Sequence, residues 1–454
     1  MRLSQALRLA ETPRIAFVGA GGKTSALSIV AKEVSKPVVV TTTTHLGAWQ
    51  TDFAVNHFII RQDNDLEMIE DNLSGVILIT KEPQSNRLTG LNNDQTKWVY
   101  GLCERHQLPL LMECDGSRQL PIKAPGINEP PIPDFVDTVV VVAGLTGLDK
   151  PLNNESVYHP DLFSNLGNLA EGDLISNITL ARVLAHKEGG LKNIPNRARR
   201  ILLLNQADTP ALQARAGTLA KIVQNSFAEV IVAELKQNKI HAVIEPTAAI
   251  ILAAGSSSRY GQTKQILDYK GVPFVRAIAR SAINAGLSPI VIVTGADAIT
   301  VKDALIGLSD KIRIIYNPNW QNGQSTSIRA GIDAISGSHI SQSQKGDSNH
   351  LPGNPGSAIF LLADQPQVNP AVLRCLVEEH SRTLAPVIAP LVDGRRGNPV
   401  LFDRVTFLDL RKLEGDIGGR GIFSKYPPDY IQWNDISLQQ DVDTPTDYER
   451  LLID

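Results

Sequence analysis

Two glycine-rich loops constrain this chain more than any other feature. Each follows a short apolar run: VGAGGKTS (residues 18–25) follows RIAFV (14–18), and LAAGSSSRYGQTK (252–264) overlaps the end of AAIILAA (248–254). A short, fully apolar, β-branched run reads as a strand buried on both faces, the habit of parallel sheets. A glycine-rich turn at the carboxyl end of such a strand brings backbone N–H groups close to an anion, because small residues permit close approach. Two such units imply two sheets, each with its own ligand edge.

The rest of the chain follows the same rhythm. PVVV (37–40), VILI (76–79), LPLLM (108–112), TVVVV (138–142) and ILLL (201–204) read as strands, and residues 24–34 compose a helix. The second part repeats it with PIVIV (289–293), IRII (312–315), AIFLL (358–362) and VIAP (387–390). Strands alternating with helices predict two doubly wound α/β domains. The pattern resets around LKQNKIHAVIEPT (235–247), which places the domains at 1–240 and 247–454; 454 residues suffice for two large domains. SGSHISQSQKGDSNHLPGNPGS (336–357) reads as a mobile surface loop.

Composition removes other classes. With 44 Lys+Arg against 47 Asp+Glu the formal charge is −3, and no basic stripe is present, so nucleic acid is not the expected partner. No apolar run approaches the ~18–20 residues that span a bilayer, and MRLSQALRLAETPR lacks a secretory core. Cys103, Cys114 and Cys375 have neither disulfide nor metal spacing. A cytoplasmic protein with no membrane partner is expected.

In the second loop, Arg259 can grip a triphosphate with two N–H donors and Lys264 adds a point charge. LLADQP (361–366) puts Asp364 just beyond an apolar strand, where parallel sheets collect ligands; it can hold Mg²⁺ or simply form a turn before Pro366. QDVDTPTD (440–447) brings Asp441, Asp443 and Asp447 together. Carboxylates beside a phosphate need a cation between them, while Thr444-Pro445 also reads as a helix start with Asp447 on its dipole. Both readings can hold, with Asp443 on the metal.

Together with NPNWQNGQSTSIRAG (317–331), RGNPVLF (396–402) and GDIGGR (415–420), these motifs resemble the MocA-like molybdenum cofactor cytidylyltransferases, across residues 248–454. The resemblance implies a Rossmann-like nucleotidyltransferase domain. Ala253, Ala254, Gly255, Ser256 and Gly261 would hold the nucleotide, with Gly323, Ser325 and Ser327 along its side. Arg259 and Lys264 would contact the phosphates, Asp364 and Asp443 would bind Mg²⁺, and Asn398 and Arg420 would face the pterin-bearing substrate. Ala254 points to CTP, since the guanylyl-transferring branch carries a second glycine there.

In the first loop, strand, glycines, Lys23-Thr24 and helix form a phosphate-binding arrangement built on Gly19, Gly21 and Gly22. Lys23 would reach the β/γ-phosphates and Thr24 would ligate Mg²⁺. The match to the full P-loop pattern is partial, because Phe17 stands where its first glycine belongs. TTTTH (41–45), ending at His45, follows the next strand and would sit beside the loop or extend the strand. Glu113 and Asp115 follow LPLLM as the acid of a Walker B strand would. Asn205-Gln-Ala-Asp208 is similar to the base-reading element of GTP-binding proteins, with Gln206 in place of Lys. VGAGGKTS, TTTTH and ECDGSRQLPIKAPGINEPPIP (113–133) resemble the YqeC-like selenium-dependent hydroxylase accessory family, over about residues 1–233. Its residues would be Lys23, Thr24, His45, Asp115, Arg118, Lys123 and Glu129. Cys114 replaces a more usual alanine and is expected to act as a small apolar residue.

The combined expectation is a fusion for molybdenum hydroxylase maturation: a P-loop-like accessory domain, and a cytidylyltransferase using CTP and molybdopterin cofactor, with a molybdenum hydroxylase as recipient. A transferase for another phosphorylated acceptor and a non-catalytic cofactor chaperone are the alternatives.

Overall fold

The fold is that of a computed structural model, which describes residues 1–47, 51–62, 65, 67–84, 87–256, 260–336 and 354–453. The chain forms two compact units, one of Met1–Ile244 and one that begins at Glu245.

The main strands of the first unit are β1 (Arg14–Gly19), β2 (Val38–Thr42), β3 (Val76–Gln84), β4 (Leu110–Glu113), β5 (Thr138–Gly144), β6 (Arg199–Asn205), β7 (Glu229–Glu234) and β8 (Lys239–Ile244). Their order across the sheet is β8-β7-β6-β5-β1-β4-β2-β3. Neighbours run parallel except β7 and β8, which form an antiparallel edge. Asn56–Ile60 pairs parallel and Arg87–Thr89 antiparallel with β3. β2 and β5 are buried along their whole length, which is why they read as unbroken apolar runs. Helix α1 (Lys23–Glu33) follows β1 and buries Ala26, Leu27, Val30 and Ala31. β1 lies between β4 and β5, so the loop from β1 to α1 faces the carboxyl ends of both.

The second unit holds β9 (Thr247–Ala253), β10 (Ile290–Thr294), β11 (Ile312–Tyr316), β12 (Ser357–Leu362), β13 (Val387–Val392), β14 (Val400–Asp403) and β15 (Asp429–Gln432). The order is β11-β10-β9-β12-β14-β13, with β15 beside β13. β14 runs against both its neighbours, so the sheet is mixed rather than uniformly parallel. β9 alternates across its two faces. Ala249, Ile251 and Ala253 pack with α2 (Phe274–Ala285) and α4 (Pro370–Thr383), whereas Ala248 and Ile250 pack with α3 (Gln324–Ile335). Gly331 lets α3 approach, since a Cβ there would lie 2.4 Å from Ile250 Cγ2. The terminal helix α5 (Pro445–Ile453) is pinned by a small cluster of Leu267, Phe274, Val442 and Leu451. That cluster carries residues 441–443 to the carboxyl edge of the sheet. Among the described residues no helix is long and apolar enough to cross a membrane.

Candidate active sites

At the carboxyl edge of the second sheet, one ammonium gathers three groups from two distant places in the chain. Lys264 Nζ lies 3.2 Å from Asp364 Oδ2 and 3.0 Å from Asp443 Oδ1, and donates to the Val442 carbonyl at 2.7 Å. Burial alone would lower the Lys264 ammonium, but the carboxylates of Asp364 and Asp443 outweigh it and the net shift is upward. Gln365 Nε2 donates to Asp441 Oδ1 at 2.5 Å. Burial pushes the Asp441 carboxyl up, and the neighbouring Asp364 and Asp443 add to it. Asp447 Oδ2 accepts from the Thr444 N–H at 2.8 Å and from the Asp443 N–H at 3.2 Å, fixing the turn that presents Asp443. Two carboxylates converging on one cation form an oxygen-only donor set that suits a hard divalent ion.

These groups stand at the side of an open cleft of about 810 Å³, whose wall includes Ala254, Gly255, Ser256, Gly323 and Ser327. Ala253 is buried in β9, and Ser325 is 1% exposed and outside the cleft wall. Gly261 turns the loop with φ +85°. Arg259, which the sequence assigns to the phosphates, lies outside the described residues, as do residues 337–353 of the Ser/Gly-rich loop.

A second hollow of about 320 Å³ adjoins the cleft and shares Leu252, Gln324, Leu362 and Asp416 with it. Its apolar wall includes Phe360, Phe402 and Phe423; Arg396, Asn398 and Arg420 provide the polar groups. Arg396 sits 5.0 Å from the centroid of the Phe423 ring. The junction is held from the backbone: Asp416 Oδ1 accepts from the Gln324 N–H at 3.3 Å, and Gly415 O accepts from the Ser325 N–H at 3.2 Å. Trp320, Gln324, Arg396 and Asp416 were not singled out from the sequence. The motifs 317–331, 396–402 and 415–420 contain them, but which residues meet is a tertiary fact.

In the first unit Gly19, Gly21 and Gly22 all have positive φ, at +96°, +79° and +136°. A Cβ on Gly19 would lie 2.2 Å from Val142 O, so the turn is pressed onto β5. Lys23 Nζ bonds back to Gly19 O at 2.8 Å and stands 3.3 Å from Asp115 Oδ1 and 3.8 Å from Glu113 Oε1. The Thr24 hydroxyl donates to Glu113 Oε2 at 2.7 Å. Burial pushes the Glu113 carboxyl up against the opposing pull of Lys23. Asp115 serves the loop itself: it accepts from the Gly19 N–H and pairs with Lys123 Nζ at 2.9 Å. Lys123 also binds Glu129 Oε2 at 2.8 Å. Burial alone would raise Glu129, but Lys123 outweighs it and the carboxyl titrates below its usual range. Arg118 lies 5.3 Å from the Tyr158 ring centroid.

Other expected members take structural parts or lie on an edge strand. His45 is exposed on an edge strand, His45–Gly47, and four strands separate it from β1 in the sheet order. The Thr41 and Thr42 hydroxyls bond to the carbonyls of Ile79 and Glu113, the strand-extension reading. Asn205 is buried, with its amide donating to Gly21 O at 2.7 Å and accepting from the Leu235 N–H at 3.0 Å. That amide holds the loop and leaves base reading without its central residue. Cys114 is fully buried, and burial pushes its thiol up to about 12.

Comparison with known proteins matches this division. The family model of the YqeC protein matches residues 15–161, and that of the MobA-like NTP transferase domain matches residues 249–430. The chain is 28% identical over 197 residues to "Uncharacterized protein YqeC" of Escherichia coli (strain K12), covering 42% of this chain and 75% of that one. It is 30% identical over 213 residues to "Nicotine blue oxidoreductase" of Paenarthrobacter nicotinovorans, covering 45% of this chain and 95% of that one. It is 33% identical over 90 residues to "Molybdenum cofactor cytidylyltransferase" of Escherichia coli (strain K12), covering 20% of this chain and 46% of that one. The first unit therefore resembles the YqeC protein, while the second belongs with the MobA-like NTP transferases and makes the chain a nucleotidyltransferase.

Proposed function

We propose that the second unit is a Mg²⁺-dependent CTP:molybdopterin cytidylyltransferase, and that the fusion serves molybdenum hydroxylases. The observation that carries this reading is the Lys264–Asp364–Asp443 cluster beside a nucleotide-sized cleft, with a basic, aromatic hollow next door. The likeness to a molybdenum cofactor cytidylyltransferase supports the acceptor. A terminal phosphate oxygen of molybdopterin attacks the α-phosphorus of CTP; the new P–O bond forms as the α–β bond breaks, and pyrophosphate leaves. The attacking group is already anionic, so catalysis is alignment and charge neutralisation. Asp364 and Asp443 hold Mg²⁺, which neutralises triphosphate charge when bound. Lys264 supplies a positive charge at the phosphates. Arg396, Asn398 and Arg420 orient the acceptor over the aromatic wall. The first unit binds a nucleoside triphosphate at the 19–24 loop, with Thr24 and Glu113 as its metal-side pair, and hands cofactor on to the recipient hydroxylase.

The test is pyrophosphate release by the full chain with Mg²⁺, molybdopterin cofactor, and CTP, GTP or ATP in turn. Release with CTP alone, lost in Lys264→Ala and kept in Lys23→Ala, is expected. Release with GTP overturns the base assignment. No release with any nucleotide, but redox turnover of nicotine blue, would favour the activity named for the oxidoreductase relative.

A further inference from the structure

Lys264 stands where a cation belongs. Its ammonium lies within 3.2 Å of one carboxylate from the β12 end and one from the tail before α5, and it also ties the tail through Val442 O. We propose that Lys264 is a built-in placeholder for the divalent ion, so that Asp364 and Asp443 accept metal only once a triphosphate draws the ammonium away. The inference rests on the metal role of those aspartates set out above.

The argument is one of competing cations. An Asp364–Asp443 pair left alone would repel, and the ammonium neutralises it in the metal-free chain. A divalent ion needs direct contact with carboxylate oxygens, at ~2.0–2.1 Å for Mg²⁺. Lys264 occupies one oxygen of each carboxylate, and an ion drawn to the same pair is repelled by the ammonium, so metal and Lys264 compete for the site. Lys264 is mostly buried, with a side chain 12% exposed, so bulk water is a poor substitute for the partners it would lose. A triphosphate in the cleft offers it a new anionic partner. Nucleotide and metal are then coupled positively through one side chain, and the coupling is reciprocal. The consequence is order: metal without nucleotide binds weakly, and the charged machinery assembles only on a filled cleft.

The test is Mn²⁺ binding to the full chain without nucleotide, followed by electron paramagnetic resonance. The second unit's signal is defined as the part lost in Asp364→Asn. Neutral Lys264→Met and Lys264→Gln are expected to bind Mn²⁺ about tenfold more tightly than the unaltered chain, within the usual range of coupling. Lys264→Arg, which keeps the charge, should stay near the unaltered chain. Both neutral variants would lose transfer, so affinity and activity move in opposite directions. If they bind Mn²⁺ no better, or more weakly, while Asp364→Asn abolishes Mn²⁺ binding in the presence of CTP, Lys264 only tethers the tail and the placeholder role is refuted. If no Asp364-dependent signal appears even with CTP, the metal assignment itself falls.

Discussion

Both carboxylate oxygens of Asp115 lie within hydrogen-bonding distance of the Gly19 N–H, at 3.1 and 2.9 Å. Asp115 is 1% exposed and also pairs with the buried ammoniums of Lys23 and Lys123. One side chain therefore holds the first-unit loop in its left-handed turn and compensates two buried charges. Asp115→Ala should destabilise the first unit by about 3–5 kcal/mol, the usual cost of removing one partner from a buried pair. Asp115→Asn keeps an acceptor for Gly19 and should cost less. Urea unfolding of the full chain reads both; equal, small losses would show that the loop does not depend on this carboxylate.

The junction between the two second-unit cavities rests on glycine against glycine. Gly323 has φ +104°, and a Cβ on it would lie 2.3 Å from the Gly415 backbone. Backbone cannot swing aside as a side-chain tip can, so Gly323→Ala must move the start of α3 or the 415–420 loop. The expected result is a destabilisation of about 1–3 kcal/mol and a fall in transfer rate of at least about tenfold, since small misplacements cost alignment. Gly415→Ala meets nothing within 4 Å and should bear mainly the cost of its φ of +65°. Equal transfer rates in the two variants would count against a tight junction.

Much of this architecture is legible in sequence because its central strands are buried on both faces. RIAFV, TVVVV and AAIILAA lie within or overlap β1, β5 and β9. The edges are not: β8 is half-buried along most of its length, so its residues look like linker, and part of the region read as a reset is this strand. β14 ends in Asp403 and runs against its neighbours, which no periodicity announces. The sites divide the same way. Loops after strands can be read from glycine and charge, but Lys264 meets Asp364 across 100 positions and Asp443 across 179. Asn205 shows the opposite failure: the motif suggests a ligand, while burial gives its amide to Gly21 and Leu235.

Ala254 gives the base assignment a direct check. It lines the cleft and is 6% exposed, so its methyl group is part of a packed wall. Removing one methyl from a pocket is worth ~1–3 kcal/mol of discrimination. Ala254→Gly should therefore shift the CTP-to-GTP ratio of kcat/KM toward GTP by about 10- to 200-fold. An unchanged ratio in an active variant would place base selection elsewhere in the cleft wall.

Thiol chemistry separates the three cysteines. Burial pushes the thiols of Cys103 and Cys114 up to about 12, while Cys375 is only half-buried. Thiolate is the reactive form, so at pH 8 a disulfide reagent should modify Cys375 alone, and the other two only after unfolding. The linkage sign follows. Between the unfolded value of 9.0 and the folded value near 12, the folded chain keeps two protons that the unfolded chain has lost. Stability from these groups is thus fully present below pH 9 and declines as pH rises toward 12, with a slope of up to about 1.4 kcal/mol per pH unit for each thiol. A Cys103→Ala, Cys114→Ala chain should lose less stability across that window. Rapid native modification of all three thiols, or an identical alkaline slope in the double variant, would contradict this assignment.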